Sequence, residues 1–226
     1  MRRHLILLGL AALLLLAGCT ERPAFADEVD YSDRWGAEST VAFHVGDDHD
    51  VGVVAISNAS EIELWRRTAI GGDEPLRIDG VRFRHPDGTV VNVSSYNVTG
   101  SRTVVTLPSR SGELAYAVEH RDGRFTQPMP VDGSARIHLP PGTDARNIAL
   151  GSIEPGEHEV VSESPLVVEW TDLDRGTDVS VRYYDDNDPR LLIGLLTVLV
   201  IAAAAVFVYY RKVFDRLRER TRRLEE

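Results

Sequence analysis

The sequence predicts an all-β exterior region made of Ig-like β-sandwich modules, followed by one C-terminal transmembrane helix. Three observations predict it. Short runs rich in Val, Ile and Tyr recur along residues 39–188 with strand spacing. No apolar pattern of helical period and three turns' length lies between residues 20 and 190. Residues 191–210 then form a stretch of twenty without a charge.

Residues 1–18 read as a signal peptide. Arg2, Arg3 and His4 precede twelve uncharged residues, 5–16, the layout of a secretory signal. As a helix that run spans ~18 Å, short of a ~30 Å hydrocarbon core. Leu16-Ala17-Gly18-Cys19 resembles the lipobox of prokaryotic lipoproteins, which implies lipidation of Cys19. Small residues admit a peptidase to the bond, and the thiol is the nucleophile that takes the lipid. Cys19 is the one cysteine of the chain, which excludes an intramolecular disulfide framework and a four-cysteine zinc site. Arg2-Arg3 leaves Sec and twin-arginine export both open. Residues 19–38 lack periodicity and are expected to be a tether.

Strand runs are expected at 41–45, 51–56, 61–65, 81–84, 89–93, 103–107, 113–118, 135–139, 166–170 and 178–184. In Val81-Arg82-Phe83-Arg84 the apolar side chains face one way and the arginines the other. Asp87-Gly88 and Asp122-Gly123 read as hairpin turns, and Asp132-Gly133 as a turn before the next strand. So many strands exceed one seven-stranded sandwich. Two modules are therefore expected, 39–130 and 131–188. Gln127-Pro128-Met129-Pro130 is the favoured joint and residues 108–112 its rival.

Residues 191–210 span ~30 Å as a helix, the thickness of the hydrocarbon core. Tyr209 and Tyr210 stand where interfacial aromatics belong, and Arg211 and Lys212 follow at once. Asp185, Asp186 and Asp188 flank the other side. The basic flank is C-terminal, so a single-pass protein in the cell membrane is expected, with the β region extracellular and residues 211–226 cytoplasmic. In that tail Phe214, Leu217, Thr221 and Leu224 make a narrow stripe on a short helix. Its arginines suit anionic lipid head groups, and a partner-binding coiled coil is the alternative.

Charge divides the chain the same way. Residues 20–190 carry 31 acidic and 16 basic residues, a net of −15, whereas 211–226 carry 7 basic and 4 acidic. Lys212 is the sole lysine. An acidic, lysine-free exterior suits concentrated salt, where screening over ~3 Å at 1 M removes self-repulsion. It argues against nucleic acid as a partner, because such a surface repels phosphates. Three of five asparagines, Asn58, Asn92 and Asn97, head N-x-S/T sequons and are expected glycosylation sites of an exported region.

Asn58-Ala59-Ser60-Glu61-Ile62-Glu63-Leu64-Trp65-Arg66-Arg67 is followed by Val81-Arg82-Phe83-Arg84-His85-Pro86-Asp87-Gly88. Later come Leu139-Pro140-Pro141-Gly142, Arg146-Asn147 and Val181-Arg182-Tyr183-Tyr184. With the lipobox and basic tail, this resembles an uncharacterised family, a domain of unknown function, of membrane-anchored lipoproteins from halophilic archaea. The resemblance covers nearly the whole chain. It implies location and source and carries over no activity or catalytic residue.

The strongest metal candidate is the segment 44–50, in which His44, Asp47, His49 and Asp50 offer imidazole and carboxylate donors. It lies between two strand runs and reads as a solvated acidic turn, so no metal or other cofactor is expected. No G-x-S-x-G elbow occurs, and His120-Arg121-Asp122 lacks the rest of a kinase catalytic loop. Glu157-His158-Glu159 lacks the second histidine of the metalloprotease helix. Trp65 and Trp170 end alternating strands and read as core, rather than as a carbohydrate platform with Trp35.

The expected function is that of a non-enzymatic cell-surface lipoprotein presenting β modules for envelope organisation or binding. Membrane lipid is its expected partner, with a membrane protein or an envelope component as a second. An accessory or sensory subunit of a membrane complex is the alternative, and a metal-dependent envelope enzyme the third reading.

Overall fold

Short runs of β-forming residues predict strands well. In the computed structural model each of the ten expected runs falls within a strand, overrunning it by at most one residue at either end, except that 178–184 is broken at Tyr183 into two strands of different sheets. The structure describes residues 29–36, 38–68, 70–121 and 123–222, without the side chains of 190–192, 205, 208 and 212–222. The expected signal peptide, the expected lipobox with Cys19 and the expected tether up to residue 28 lie outside the described residues.

In chain order the strands are β1 (Val41–His44), β2 (His49–Ser57), β3 (Glu61–Arg67), β4 (Asp73–Pro75), β5 (Asp79–Arg84) and β6 (Val90–Asn92). There follow β7 (Tyr96–Thr99), β8 (Arg102–Thr106), β9 (Ser111–Glu119), β10 (Arg124–Pro128), β11 (Gly133–His138) and β12 (Thr143–Asp144). The last are β13 (Ser152–Glu154), β14 (Glu159–Glu163), β15 (Leu166–Leu173), β16 (Asp178–Arg182) and β17 (Tyr184–Asp185), before the helix α1 (Asp188–Arg222). The chain is thus mostly β, with one apolar helix near its C-terminus.

Eight strands form the largest sheet, in the order β14-β15-β11-β1-β2-β9-β5-β6. Its neighbours are antiparallel except β1 and β11, which run parallel from Val41↔Ala135 to His44↔His138. Smaller sheets are β10-β16-β13, β4-β3-β8-β7 and the pair β12-β17. All but the last pair feed one core: Phe43, Leu114 and Ile137 of the large sheet join Phe125 and Val181 of the second and Leu64 and Val105 of the third. The rings of Phe43 and Phe125 meet with centroids 5.0 Å apart.

The expected joint and boundary fall inside this arrangement. The β1–β11 and β10–β16 pairs both cross the 130/131 boundary drawn between modules, and the core crosses it too. Gln127, Pro128, Met129 and Pro130 are all buried, the first two ending β10. Proline was the misleading sign: at a strand end it costs few ladder bonds, so it punctuates a strand as readily as a linker. The connection at 120–123 is not the expected hairpin, and the rival joint falls on the link from β8 to β9. β9 pairs with β2 and β5 rather than with β8 or β10, so each connection carries the chain between sheets. At Asp87-Gly88 the hairpin is present, joining β5 to β6.

The second half of the expected tether is a strap on the outer face of the large sheet. Val29 and Tyr31 are buried against Ala42, Val51, Val53, Ala115 and Ala117, with Trp35 alongside. Tyr31 donates its hydroxyl to the Gly80 carbonyl at 2.9 Å, and the Gly36 N–H donates to Glu113 at 3.0 Å. Arg84 pairs with Glu113 and lies 5.4 Å from the centre of the Trp35 ring. Small residues leave an apolar trough on this face, and the strap removes it from water. Tyr31→Ala is expected to cost about 3 kcal/mol. Urea unfolding of the full chain in detergent micelles, followed by tryptophan fluorescence, measures it; a loss below ~1 kcal/mol would mean the strap is dispensable.

α1 contains a stretch, Ile193–Arg211, of 19 residues with mean hydropathy 2.4, long and apolar enough to cross a membrane. Asp188 lies in its first turn, where a negative charge meets the positive end of the helix dipole. The expected separate tail helix is a continuation of the same helix to Arg222.

Candidate functional site

The parallel strands β1 and β11 end side by side at His44 and His138, and the Val45 N–H donates to the His138 carbonyl at 2.9 Å. Antiparallel pairing brings the start of β2 to the end of β9, His49 opposite Glu119. The same rule sets the start of β10 against the end of β16, Arg124 opposite Arg182. Tyr183 follows, its N–H bonded to the Gly123 carbonyl at 3.0 Å, and β17 pairs with β12 before α1 begins. One end of the β body therefore carries His44, His49, His120 and His138, four of the chain's seven histidines, next to the root of α1.

Two clefts open there. One of about 500 Å³ is lined by Asp47, His120, Tyr183, Asp185 and Asp186 among others. Another of about 310 Å³ is lined by Asp30, Arg34, His44, Asp47, Asp48 and His49 together with Pro140 and Pro141. Gly46, Asp47, Pro140 and Pro141 line both.

Asp50 is 4 % exposed. Its Oδ1 lies 2.7 Å from Nδ1 of His120 and accepts the Gly46 N–H at 3.2 Å. Nε2 of His120 lies 3.3 Å from the Tyr183 hydroxyl. Burial pushes the Asp50 carboxyl up, and the His120 hydrogen bond pulls it back. An Asp–His pair is the base half of a nucleophilic triad, but the third member here is a phenol rather than a serine, threonine or cysteine. The chain instead joins β2, the β9–β10 connection and the segment entering α1.

The rings of His44 and His138 stack with centroids 4.4 Å apart and planes 17° from parallel. Nη1 of Arg34 lies 3.0 Å from Nδ1 of His44. A guanidinium only donates, so Nδ1 accepts and the neutral ring carries its proton on Nε2. That nitrogen is buried and has no partner among the described residues. Burial chiefly, then His138 and Arg34, push His44 down to about 3. Burial first, then Arg136 and Arg34, push His138 down as well. Both rings are neutral at pH 7.

The four candidate metal ligands are not brought into one donor set. Asp50 is engaged by His120 and His44 by its stack and Arg34, while Asp47 and His49 line the clefts. Among the described residues no group of three or more His, Cys, Asp and Glu side chains is placed to hold a metal ion. Trp65 and Trp170 are buried at 5 % and 1 % exposure, so neither offers a face to a sugar. The sequon asparagines are all exposed: Asn58 in the β2–β3 turn with φ of 59°, Asn92 ending β6 and Asn97 within β7. Tyr209 and Tyr210 are exposed on α1 and meet edge to face; Arg211 follows, exposed, and the Lys212 side chain lies outside the described residues.

Sequence reasoning missed His120 and Tyr183 as partners of Asp50. His120 lies 70 residues beyond Asp50 and Tyr183 a further 63 beyond His120, and nothing local in either segment signals the meeting. A family model described as "Family of unknown function (DUF5803)" matches residues 37–225. No curated protein matches the chain.

Proposed function

We propose that this chain, which belongs to that family of unknown function, is a non-enzymatic single-pass surface protein whose β body is held against the outside of the membrane at both ends. The single observation that carries this reading is where the strap begins. Asp30 and Arg34 line a cleft with His44 and His49, so the chain leading back to Cys19 enters the body at the end from which α1 leaves. Ten residues lie between Cys19 and Asp30, a reach of at most ~40 Å. A lipid on Cys19 and the apolar stretch of α1 would then hold the same end of the body to one bilayer. Acidic residues before that stretch and the arginine-rich tail after it support a cytoplasmic C-terminus.

The body is read as a β-sandwich, the eight-stranded sheet facing the sheets of β10 and β3 across one core. Its acidic, lysine-free composition supports work in concentrated salt, as in halophilic lipoproteins. The exposure of Asn58, Asn92 and Asn97 supports glycosylation there. A second reading, an accessory subunit signalling through α1, is favoured by the Asp50–His120–Tyr183 chain that ties the body to the helix root.

External protease on intact cells tests the orientation. The β body is expected to be cleaved while an epitope on residues 212–226 stays protected; the reverse pattern overturns the proposal. Cys19→Ser is expected to remove the lipid mass yet leave the protein in the membrane fraction, because a spanning helix holds without help. Removal of residues 212–226 decides the second reading, which fails if no co-purifying membrane protein is lost.

A further inference from the structure

A separate cleft of about 110 Å³ opens between the end of β3, residues 76–77 and the β9–β10 connection. Arg66, Arg67, Arg77, Arg121 and Arg124 line it. Five of the 16 basic residues in region 20–190 thus converge on one place in a region of net −15. Two of them are committed: Arg66 to Glu74 at 2.6 Å, and Arg67 to Asp178 at 2.7 Å and Asp73 at 3.5 Å. Arg77, Arg121 and Arg124 are exposed and make no ion pair among the described residues. Of the carboxylates on the lining, Asp50 is engaged by His120 and Glu119 remains. At the floor lies Gln127, 4 % exposed, whose Oε1 accepts from the Tyr116 hydroxyl at 3.4 Å. Its amide N–H groups are what it can offer the cleft.

We propose that this cleft binds a phosphate group. The three guanidiniums without ion-pair partners repel one another, with Glu119 the one carboxylate of the lining left to offset them, and a concave site focuses their field on whatever enters. They arrive from two segments, and paired Arg66 and Arg67 add a third side, which suits oxygens pointing in several directions from a tetrahedral centre; a planar carboxylate would be held by one fork. The volume is that of roughly four waters at ~30 Å³ each. It is well below the ~300–1,000 Å³ of sites for drug-sized ligands, so the cleft itself suits one oxyanion group. The phosphate comes from solution or from a lipid head group. Arg124 stands opposite Arg182, a few residues before α1, so a head group lies within reach if the proposed orientation holds. Only the lipid source rests on that reading.

The experiment uses the full chain in neutral detergent micelles, titrated calorimetrically with inorganic phosphate against chloride at matched ionic strength. In parallel, the chain is placed in vesicles of phosphatidylcholine alone or mixed equally with phosphatidylglycerol, and immobilised lipid phosphorus is counted by NMR. The expected result is one saturable phosphate per chain from one of the two sources. The double variant Arg121→Gln/Arg124→Gln should weaken it by about tenfold or more, the loss of at least one charge-assisted contact. Its urea midpoint should be unchanged, since both side chains are exposed and unpaired. Saturation by inorganic phosphate assigns a free anion, and immobilised phosphatidylglycerol without it assigns a lipid. The proposal is overturned if neither probe saturates above its control, or if the variant binds as the parent does. Failure in micelles leaves the orientation untouched, which the protease experiment scores by itself.

Discussion

His120→Ala is expected to destabilise the β body by about 3–5 kcal/mol at neutral pH, the cost of stranding a buried charge. Asp50 is nearly inaccessible, and without the imidazole only the Gly46 N–H, at 3.2 Å, still reaches its Oδ1. The pH dependence separates this cause from a mere cavity. Burial raises the folded-state pKa of Asp50 above its ordinary value of 3.8, and that penalty on the ionised form grows as pH rises through the raised value. In the variant the opposing hydrogen bond is gone. Its deficit should therefore shrink as pH falls and the carboxyl takes up a proton. Asp50→Asn in the His120→Ala background should recover part of the loss at pH 7.5. Urea unfolding of the full chain in micelles at pH 7.5 and 5 measures all three. A deficit under ~1 kcal/mol, or one that does not shrink at pH 5, would show that the pair does not hold this end together.

Acid should loosen the same end through the other histidines. His44 is pushed down to about 3 from its ordinary 6.5, so the fold keeps it neutral while the unfolded chain binds a proton below 6.5. Its contribution is fully present above that pH. It is lost as pH falls, by up to about 1.4 kcal/mol per unit, until the folded value is reached. Between pH 6.5 and 5 that amounts to about 2 kcal/mol from His44, and His138 acts in the same direction. His44→Leu conserves volume and removes the titration, while Arg34, exposed, turns to water. The parent is thus expected to lose about 2 kcal/mol of stability relative to the variant between pH 7 and 5. Parallel stability curves would rule out His44 as the cause.

These two sites differ in how far the sequence announced them. His44 and Asp50 stood out because they sit within one short segment with Asp47 and His49. That spacing suggested ligands, whereas the fold sends the two side chains to different neighbours. β1 carries His44 beside β11, and β2 carries Asp50 beside the end of β9. Alternate residues of a strand point to opposite faces and a turn reverses the chain, so nearness in sequence here says little about nearness in space. The arginine cleft was unreadable for the same reason, its five arginines being divided among three segments that lie apart in sequence.

What the sequence determined by itself is whatever depends on local period and on amount. The ten strand runs follow from short stretches rich in Val, Ile and Tyr, several of them alternating, the apolar stretch of α1 from length and the lack of charge, and the hairpin at Asp87-Gly88 from residues that tolerate its turn. Tertiary structure alone decided which strands are neighbours. The parallel β1–β11 pair, the core that ignores the 130/131 boundary, the strap at 29–36 and the buried Asp50–His120–Tyr183 chain all join residues distant in sequence. A strand's pattern fixes which face it buries but leaves its partner open, since any matching apolar face would serve. The choice among partners is made by packing the whole set of faces at once.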